Sequence, residues 1–246
     1  MQKHSLPVLQ EIRAKKTKQE IAHIVRAQKI CEEILANAIK QLKVGVTEIE
    51  IAKFIVSQMK KRSVTALAFS PIVAFGAGSA DIHHEPGKVK LKKGDIVMFD
   101  FGATWQGYCS DMTRTYVFGA QPTKKQQKLY CTVLASQMKV IRALEKGERS
   151  CKKLDTLARS YLAKQYKDNF KHGLGHGVGT AIHEWPNFKP NSEDILEPGM
   201  VMTVEPGIYL PGVGGVRIED MMLITKKGAT NLTHVDKEIE NIVLGV

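Results

Sequence analysis

Four acidic side chains of this chain sit inside or beside apolar, strand-like runs, and their spacing repeats. Asp100 closes the run 96–99, six residues after Gly94 and two before Gly102; Glu205 closes 200–204, six after Gly199 and two before Gly207. A second acid accompanies each: Asp111 just ahead of 112–117, and Glu219 just behind 216–218. A carboxylate in such a setting pays for lost hydration, and carboxylates gathered together repel and take up protons unless cations keep them ionised. The pattern therefore asks for metal.

Between the two acid pairs runs His172-Gly-Leu-Gly-His176-Gly-Val-Gly, followed by His183, Glu184, Trp185 and Pro186. Glycine at alternate positions lets backbones approach closely and leaves His176 prominent. One imidazole with four carboxylates is a mainly oxygen-donor set suited to Mn, Co, Zn or Fe. Four charges of −1 and two of +2 cancel, so two divalent ions fit the charge balance. Two such ions roughly 3.5–4 Å apart can share a water, lower its pKa and clamp the oxyanion formed when it attacks a carbonyl. Singly, each residue has a plainer reading: Asp100 a turn former, Glu219 an edge-strand charge, His176 a core histidine. Together they converge on one chemistry. His183 with Glu184 lacks the second histidine of a zincin helix, and the glycine run lacks both the GK[ST] of a phosphate loop and the spacing of a dinucleotide turn.

The elements that must position these residues are also marked. Thr17 with Glu20 writes a capping box ahead of an apolar set, Ile21, Ile24, Val25, Ile34, Leu35, Ala38, Ile39 and Leu42, at helical spacing. Gly45 ends that helix. Thr47 with Glu50 starts a second, with Ala52, Phe54, Ile55 and Met59 on its buried face; Thr123 with Gln126 starts a third, and Ser150 a fourth. The separations Thr17 to Thr123, Thr47 to Ser150 and Asp100 to Glu205 are 106, 103 and 105 residues. Three offsets in register predict two similar halves, 12–120 and 121–246, each a helix pair followed by strands. Packed about a pseudo-twofold axis, the halves would bring both acid pairs to one site. No Pro-, Gly- or Ser-rich linker divides them, so a single domain over 1–246 is expected.

Composition narrows the classes. With 43% hydrophobic residues in 246, a large core is available. No apolar stretch is long enough to span a bilayer, and the start of the chain lacks the apolar centre of a secretory signal, which gives no membrane association and the cytoplasm as expectations. Four cysteines without a CxxC pair read as reduced thiols, with Cys109 a packing residue despite its nearness to Asp111. The net charge of +11 is dispersed in lysine pairs with few aromatics between them, so no nucleic-acid partner is expected.

With these residues in place, the chain resembles the pita-bread metallopeptidases, in its Xaa-Pro branch of aminopeptidase P and prolidase catalytic domains. The stretches FDFGATWQGYCSDMTRTYVFG, HGLGHGVGTAIHEWP, MVMTVEPGIYLPG and GVRIED carry the resemblance, which covers nearly everything from about Ile12 onward. It implies an α+β fold, a curved antiparallel sheet flanked by helices in two pseudo-symmetric halves. It further implies a dinuclear site with Asp100, Asp111, His176, Glu205 and Glu219 as metal ligands, Asp111 and Glu219 bridging. EPGIY, together with the segment Ser79 to His83, resembles the Xaa-Pro branch more than the methionine aminopeptidases.

The activity so implied is hydrolysis of the Xaa-Pro bond at a peptide N-terminus by a metal-bridging hydroxide, with two divalent ions, Mn first and Co, Zn or Fe as alternatives. Glu205 would act as general base and proton shuttle, and His183 would stabilise the oxyanion. His83 and His172 would line the proline side, with His84 as the neighbour that could face in instead, and Arg217 would be a cation beside Glu219 or on the substrate. Full-length relatives carry an N-terminal domain for which this sequence has no room, and 187–196 holds Lys189 but no arginine to grip a dipeptide carboxylate. A monomer or homodimer is expected. A methionine aminopeptidase and a non-catalytic pita-bread binding module are the alternatives.

Overall fold

The structure is a computed structural model that describes residues 8–245. Five helices carry the outer layer: α1 (Val8–Ala14), α2 (Lys18–Ile39), α3 (Glu48–Lys61), α4 (Lys124–Glu145) and α5 (Cys151–Tyr166). The caps form where the sequence places them. Thr17, Thr47 and Thr123 each accept the N3 amide while the N3 Glu or Gln reaches back to the cap N–H, and Ser150 accepts from Lys153. Each pairing satisfies amides that a helix start would leave orphaned. The buried stripe of α3 is Ile51, Ile55 and Met59, with Ala52 and Phe54 only partly covered. α2 ends at Ile39, so Leu42 packs from the following turn.

Of the four sheets among the described residues, the two larger ones carry the strands beside the acids. In the first, the strands Ile72–Phe75, Ile96–Asp100 and Thr113–Phe118 lie side by side and antiparallel; Val243–Leu244 adds to the last in parallel, the exception to the expected antiparallel order. In the second, the spatial order is Ala229–Asn231, Asp220–Ile224, Val201–Val204, Gly175–Gly177 and Glu184–Phe188. The backbone bond from Glu219 N–H to Thr113 C=O joins the two. α3 packs on Ile72–Phe75 and α5 on Glu184–Phe188, and one continuous apolar core runs beneath both pairs.

The internal repeat holds in hydrogen bonds as well as in sequence. The N-cap Thr47 bridges Lys90 and the N-cap Ser150 bridges Ile195. Gly94 N–H bonds Phe118 C=O, and Gly199 N–H bonds Ile224 C=O. Gly94 and Gly199 take φ of +84° and +94°, a left-handed turn that glycine adopts without a Cβ penalty. Each turn launches the strand whose end carries the acid. α1 was not marked by the sequence; it docks on the strand Glu184–Phe188.

Candidate metal centre

The two halves meet where their acids lie. Asp100 ends its strand, and Asp111 lies in the irregular turn before Thr113–Phe118. Glu205 immediately follows Val201–Val204, and Glu219 immediately precedes Asp220–Ile224. His176 is the middle residue of Gly175–Gly177, a strand that can press this close because a Cβ on Gly175 would stand 2.1 Å from the Thr203 carbonyl oxygen. One ligand atom each from Asp111, His176 and Glu219 falls within 4.8 Å of the others. His176 Nε2 also stands 3.3 Å from Glu205 Oε1 and 3.6 Å from Asp111 Oδ2.

The electrostatics are those of a cluster that wants cations. Burial, then the Asp100 and Glu205 charges, hold the Asp111 carboxyl well above the usual range. Burial and its acidic neighbours do the same to Glu219. Glu205 is pushed up to about 8, again mainly by burial, with Arg217 opposing and Asp100 reinforcing. His176 is pushed down to about 4 by burial, so its ring is neutral. Its Nδ1 lies 3.0 Å from the Gly177 carbonyl, which can only accept, so Nδ1 carries the hydrogen and Nε2 turns a lone pair toward two carboxylates. Asp100 Oδ1 and Glu219 Oε1 are buried with no hydrogen-bond partner. Lone pairs aimed at one another and orphaned carboxylate oxygens are the arrangement a divalent cation resolves, and the donor set fits it.

Hydroxyls and a guanidinium hold this cluster from outside. Thr113 Oγ1 donates to Glu219 Oε2 at 2.7 Å, and Thr203 Oγ1 donates to Glu205 Oε1 at 3.2 Å while accepting the His176 amide. Arg217, buried, ion-pairs with Asp100 Oδ2 and spends its other donors on Thr113 Oγ1 and on the Tyr209 hydroxyl at 2.7 Å. The sequence reading set Arg217 beside Glu219 or on the substrate; in the fold its fork is taken up by Asp100 and Tyr209.

The histidines divide by what their rings already hold. His172 gives Nδ1–H to the Gly173 carbonyl at 2.8 Å and accepts at Nε2 from the Tyr209 hydroxyl at 2.8 Å, an order fixed because that carbonyl can only accept and the neutral ring carries one hydrogen. Burial and the Arg217 charge push His172 down to about 3. It lines the cleft as a neutral, fully bonded ring. His84 is held by Glu48, its Nε2 2.9 Å from Oε2, whereas His83 is exposed and its ring has no protein hydrogen bond among the described residues. His183 stacks edge-on against His176 with centroids 4.3 Å apart and is exposed to the same cleft. That cleft, about 490 Å³, takes in the five candidate ligands, His83, His84, His172, His183 and Arg217, with Phe69, Pro71, Ile72 and Ile82 as an apolar wall.

A model of metallopeptidase family M24 matches residues 22–226. The chain belongs to metallopeptidase family M24. Membership of that family implies divalent metal, in agreement with the donor set just described. An Xaa-Pro dipeptidase of Pyrococcus furiosus is 41% identical over 233 residues, covering 94% of this chain and 66% of that relative. Among solved structures, the prolidase of Pyrococcus furiosus superposes with a TM-score of 0.89 over 93% of this chain and 68% of that one, at 41% identity. The X-Pro aminopeptidase of Thermotoga maritima superposes with a TM-score of 0.90 at 33% identity, covering 97% of this chain and 66% of that one. The fold is thus the α+β pita-bread architecture, and the chain spans about two thirds of the length of these curated relatives. No helix among the described residues is long and apolar enough to cross a membrane.

Several supporting residues have roles that the sequence did not mark. Thr113 and Thr203 sit in strands as ordinary β-branched residues. Glu48, in the first turn of α3, is fully buried and accepts from Phe75 N–H, Gly87 N–H and His84. Glu184 anchors α1 through Arg13 at 2.6 Å and Lys16 at 2.9 Å. Asp155 and Arg159 tie α5 to the His172 segment, Arg159 donating to the Phe170 and His172 carbonyls and Asp155 accepting Leu174 N–H. An acid between Leu154 and Ala158 on a buried helix face was the readable clue to the last pair.

Proposed function

We propose that this chain, as one catalytic domain, hydrolyses the bond before proline at the N-terminus of peptides. Asp100, Asp111, His176, Glu205 and Glu219 would hold two divalent cations, with Mn the best match to the oxygen-rich set and Co, Zn or Fe as alternatives. The observation that carries the reading is the convergence of Asp111, His176 and Glu219 in one cleft, where burial and neighbouring acids raise the Asp111 and Glu219 carboxyls well above their usual range. The similarity to Xaa-Pro dipeptidases and an X-Pro aminopeptidase supports the choice of scissile bond.

When bound, the ions would polarise the scissile carbonyl and lower the pKa of water to near neutrality. The side chains supply the rest. Glu205, whose carboxyl sits near neutrality when no cation is beside it, takes the proton of the attacking water and returns it to the departing proline nitrogen. His183 makes no ring hydrogen bond among the described residues and stands against His176 in the cleft, so it would be the donor that stabilises the oxyanion. His83 offers a second unbonded ring on the proline side of the cleft. His172 is a wall: both its nitrogens are spent, so it presents only ring surface to the substrate. Arg217 ion-pairs with Asp100, which would receive the free amine of the first residue and so restrict cleavage to the terminus. The four free thiols suit a reducing compartment such as the cytoplasm.

The test is a mass-spectrometric panel on chelator-stripped protein resupplied with Mn, using an Xaa-Pro dipeptide, an Xaa-Pro-Xaa tripeptide and a Met-Ala-Ser peptide. Cleavage before proline is expected, and the dipeptide to tripeptide ratio sorts a dipeptidase from an aminopeptidase. Cleavage after Met alone would transfer the chain to the methionine aminopeptidases. No cleavage with Mn, Co or Zn would overturn the reading in favour of a binding module.

A further inference from the structure

α4 lies behind both second-half acids, and one of its side chains breaks the apolar stripe that should face them. Gln137 stands one turn from Val133 and one from Ile141, fully buried. Its Nε2 donates to the carbonyls of Val204 and Ile218, each at 3.0 Å. Those are the residues immediately before Glu205 and Glu219.

The strand pairing explains why a donor is needed there. Val204 pairs with Asp220, and the antiparallel order resumes at Gly207 with Arg217. In the gap between, the Glu205 amide turns away to Leu174 C=O and the Glu219 amide to Thr113 C=O, leaving a long Ile218 N–H to Pro206 C=O contact at 3.4 Å. The ladder opens at the two acids, and the Gln137 amide fills the opening. Buried carbonyls without a donor are costly, so the amide is bound to this place. Its orientation is fixed as well. Lys237 Nζ, which can only donate, lies 2.7 Å from Gln137 Oε1, so the NH₂ group must face the two carbonyls. The first half uses the same helix position: Cys31, fourteen residues past the capping Thr17 as Gln137 is past Thr123, sets its Sγ 3.3 Å from the Ser110 hydroxyl, beside Asp111.

We infer that Gln137 is a positioning residue, which sets the separation of Glu205 and Glu219 and thereby the geometry of the metal pair. The inference rests on the metal reading of the cluster. Groups that orient ligands from behind typically change metal affinity by roughly 10–100-fold when removed.

The test uses Gln137→Met, which keeps the length and removes both donors, with Val133→Ala in the same helix as a stability control. Co(II) is titrated into metal-free protein, its visible absorption reporting coordination geometry, and the melting of each metal-free protein is recorded alongside. Expected are saturable binding by the wild type, roughly tenfold or greater loss of affinity and altered bands in Gln137→Met, and wild-type affinity and bands in Val133→Ala. Wild-type affinity and bands in Gln137→Met would overturn the inference, as would an equal affinity loss in a Val133→Ala protein of similar melting temperature. Should Gln137→Met fail to fold, Gln137→Asn, which draws the NH₂ group back from the two carbonyls, is expected to shift affinity and bands in the same direction, and wild-type behaviour there would overturn the inference. A wild type without saturable Co(II) binding would overturn the metal reading itself, and the inference with it.

Discussion

At Glu205 the proposed function makes two demands of one side chain, since it would have to be ionised to hold a cation and basic enough to move a proton. Burial raises its carboxyl to about 8, with Arg217 the chief opposing influence, so the fold makes it basic and leaves the cation to ionise it. Glu205→Gln keeps shape and removes the charge; turnover on an Xaa-Pro substrate should fall roughly 10²–10⁴-fold with the circular dichroism unchanged. Near-normal kcat in a preparation of verified metal content would remove Glu205 from the chemistry. The acids and His176 were legible as a candidate set because the acid spacing repeats and His176 stands in a glycine run between the pairs, although each alone has a plainer reading. Thr113 was not, because a threonine in a strand is ordinary until Glu219, 106 residues away, is seen accepting its hydroxyl. Nor did the sequence show that Arg217, expected beside Glu219 or on the substrate, and His172, expected to line the proline side, share the Tyr209 hydroxyl.

Helices were legible from their ends, because a cap is a local bargain between residues three apart and needs no tertiary partner. Strands of two to four residues, and α1, were not, because what holds them is a distant neighbour. For α1 that neighbour is Glu184, the residue after His183. Burial would raise the Glu184 carboxyl, but the charge and hydrogen bonds of Lys16, the Ala181 amide and Arg13 outweigh it and leave the pKa lowered. A lowered folded pKa contributes stability at pH values above the unfolded one, 4.5, that is lost as pH falls through the folded one. Glu184→Gln strands the buried Lys16 ammonium and should cost about 3 kcal/mol, several degrees in Tm, at pH 7. In a series of melts from pH 7 to pH 3 the gap between wild type and Glu184→Gln should close below about pH 4.5. A gap that stays constant through this range would mean that packing, not the ion pair, holds α1 in place.

On the scale of the whole molecule, the duplication concentrates four acids at the junction of the halves, and the junction is where stability and function compete. Without cations, Asp111, Glu205 and Glu219 all have raised carboxyl pKa values, so the folded protein holds protons that the unfolded chain has released. Such groups stabilise fully below the unfolded pKa of about 4, and that stability is lost as pH rises through the folded value, about 8 for Glu205. His172 and His176, lowered to about 3 and about 4, act oppositely, because the unfolded chain protonates them first; their influence ends near the unfolded value of 6.5. The window from pH 6.5 to 8 therefore isolates the carboxyl cluster. Chelator-stripped protein should lose a few degrees of Tm across it. Protein saturated with Mn should not, because the cations displace the protons and bind more tightly as pH rises. Scanning calorimetry of both forms at pH 6.5, 7.25 and 8 checks this. A stripped protein whose Tm is flat or climbs over that range would show that the acids are already ionised without metal, and the argument that four buried carboxylates demand cations would fail at its root.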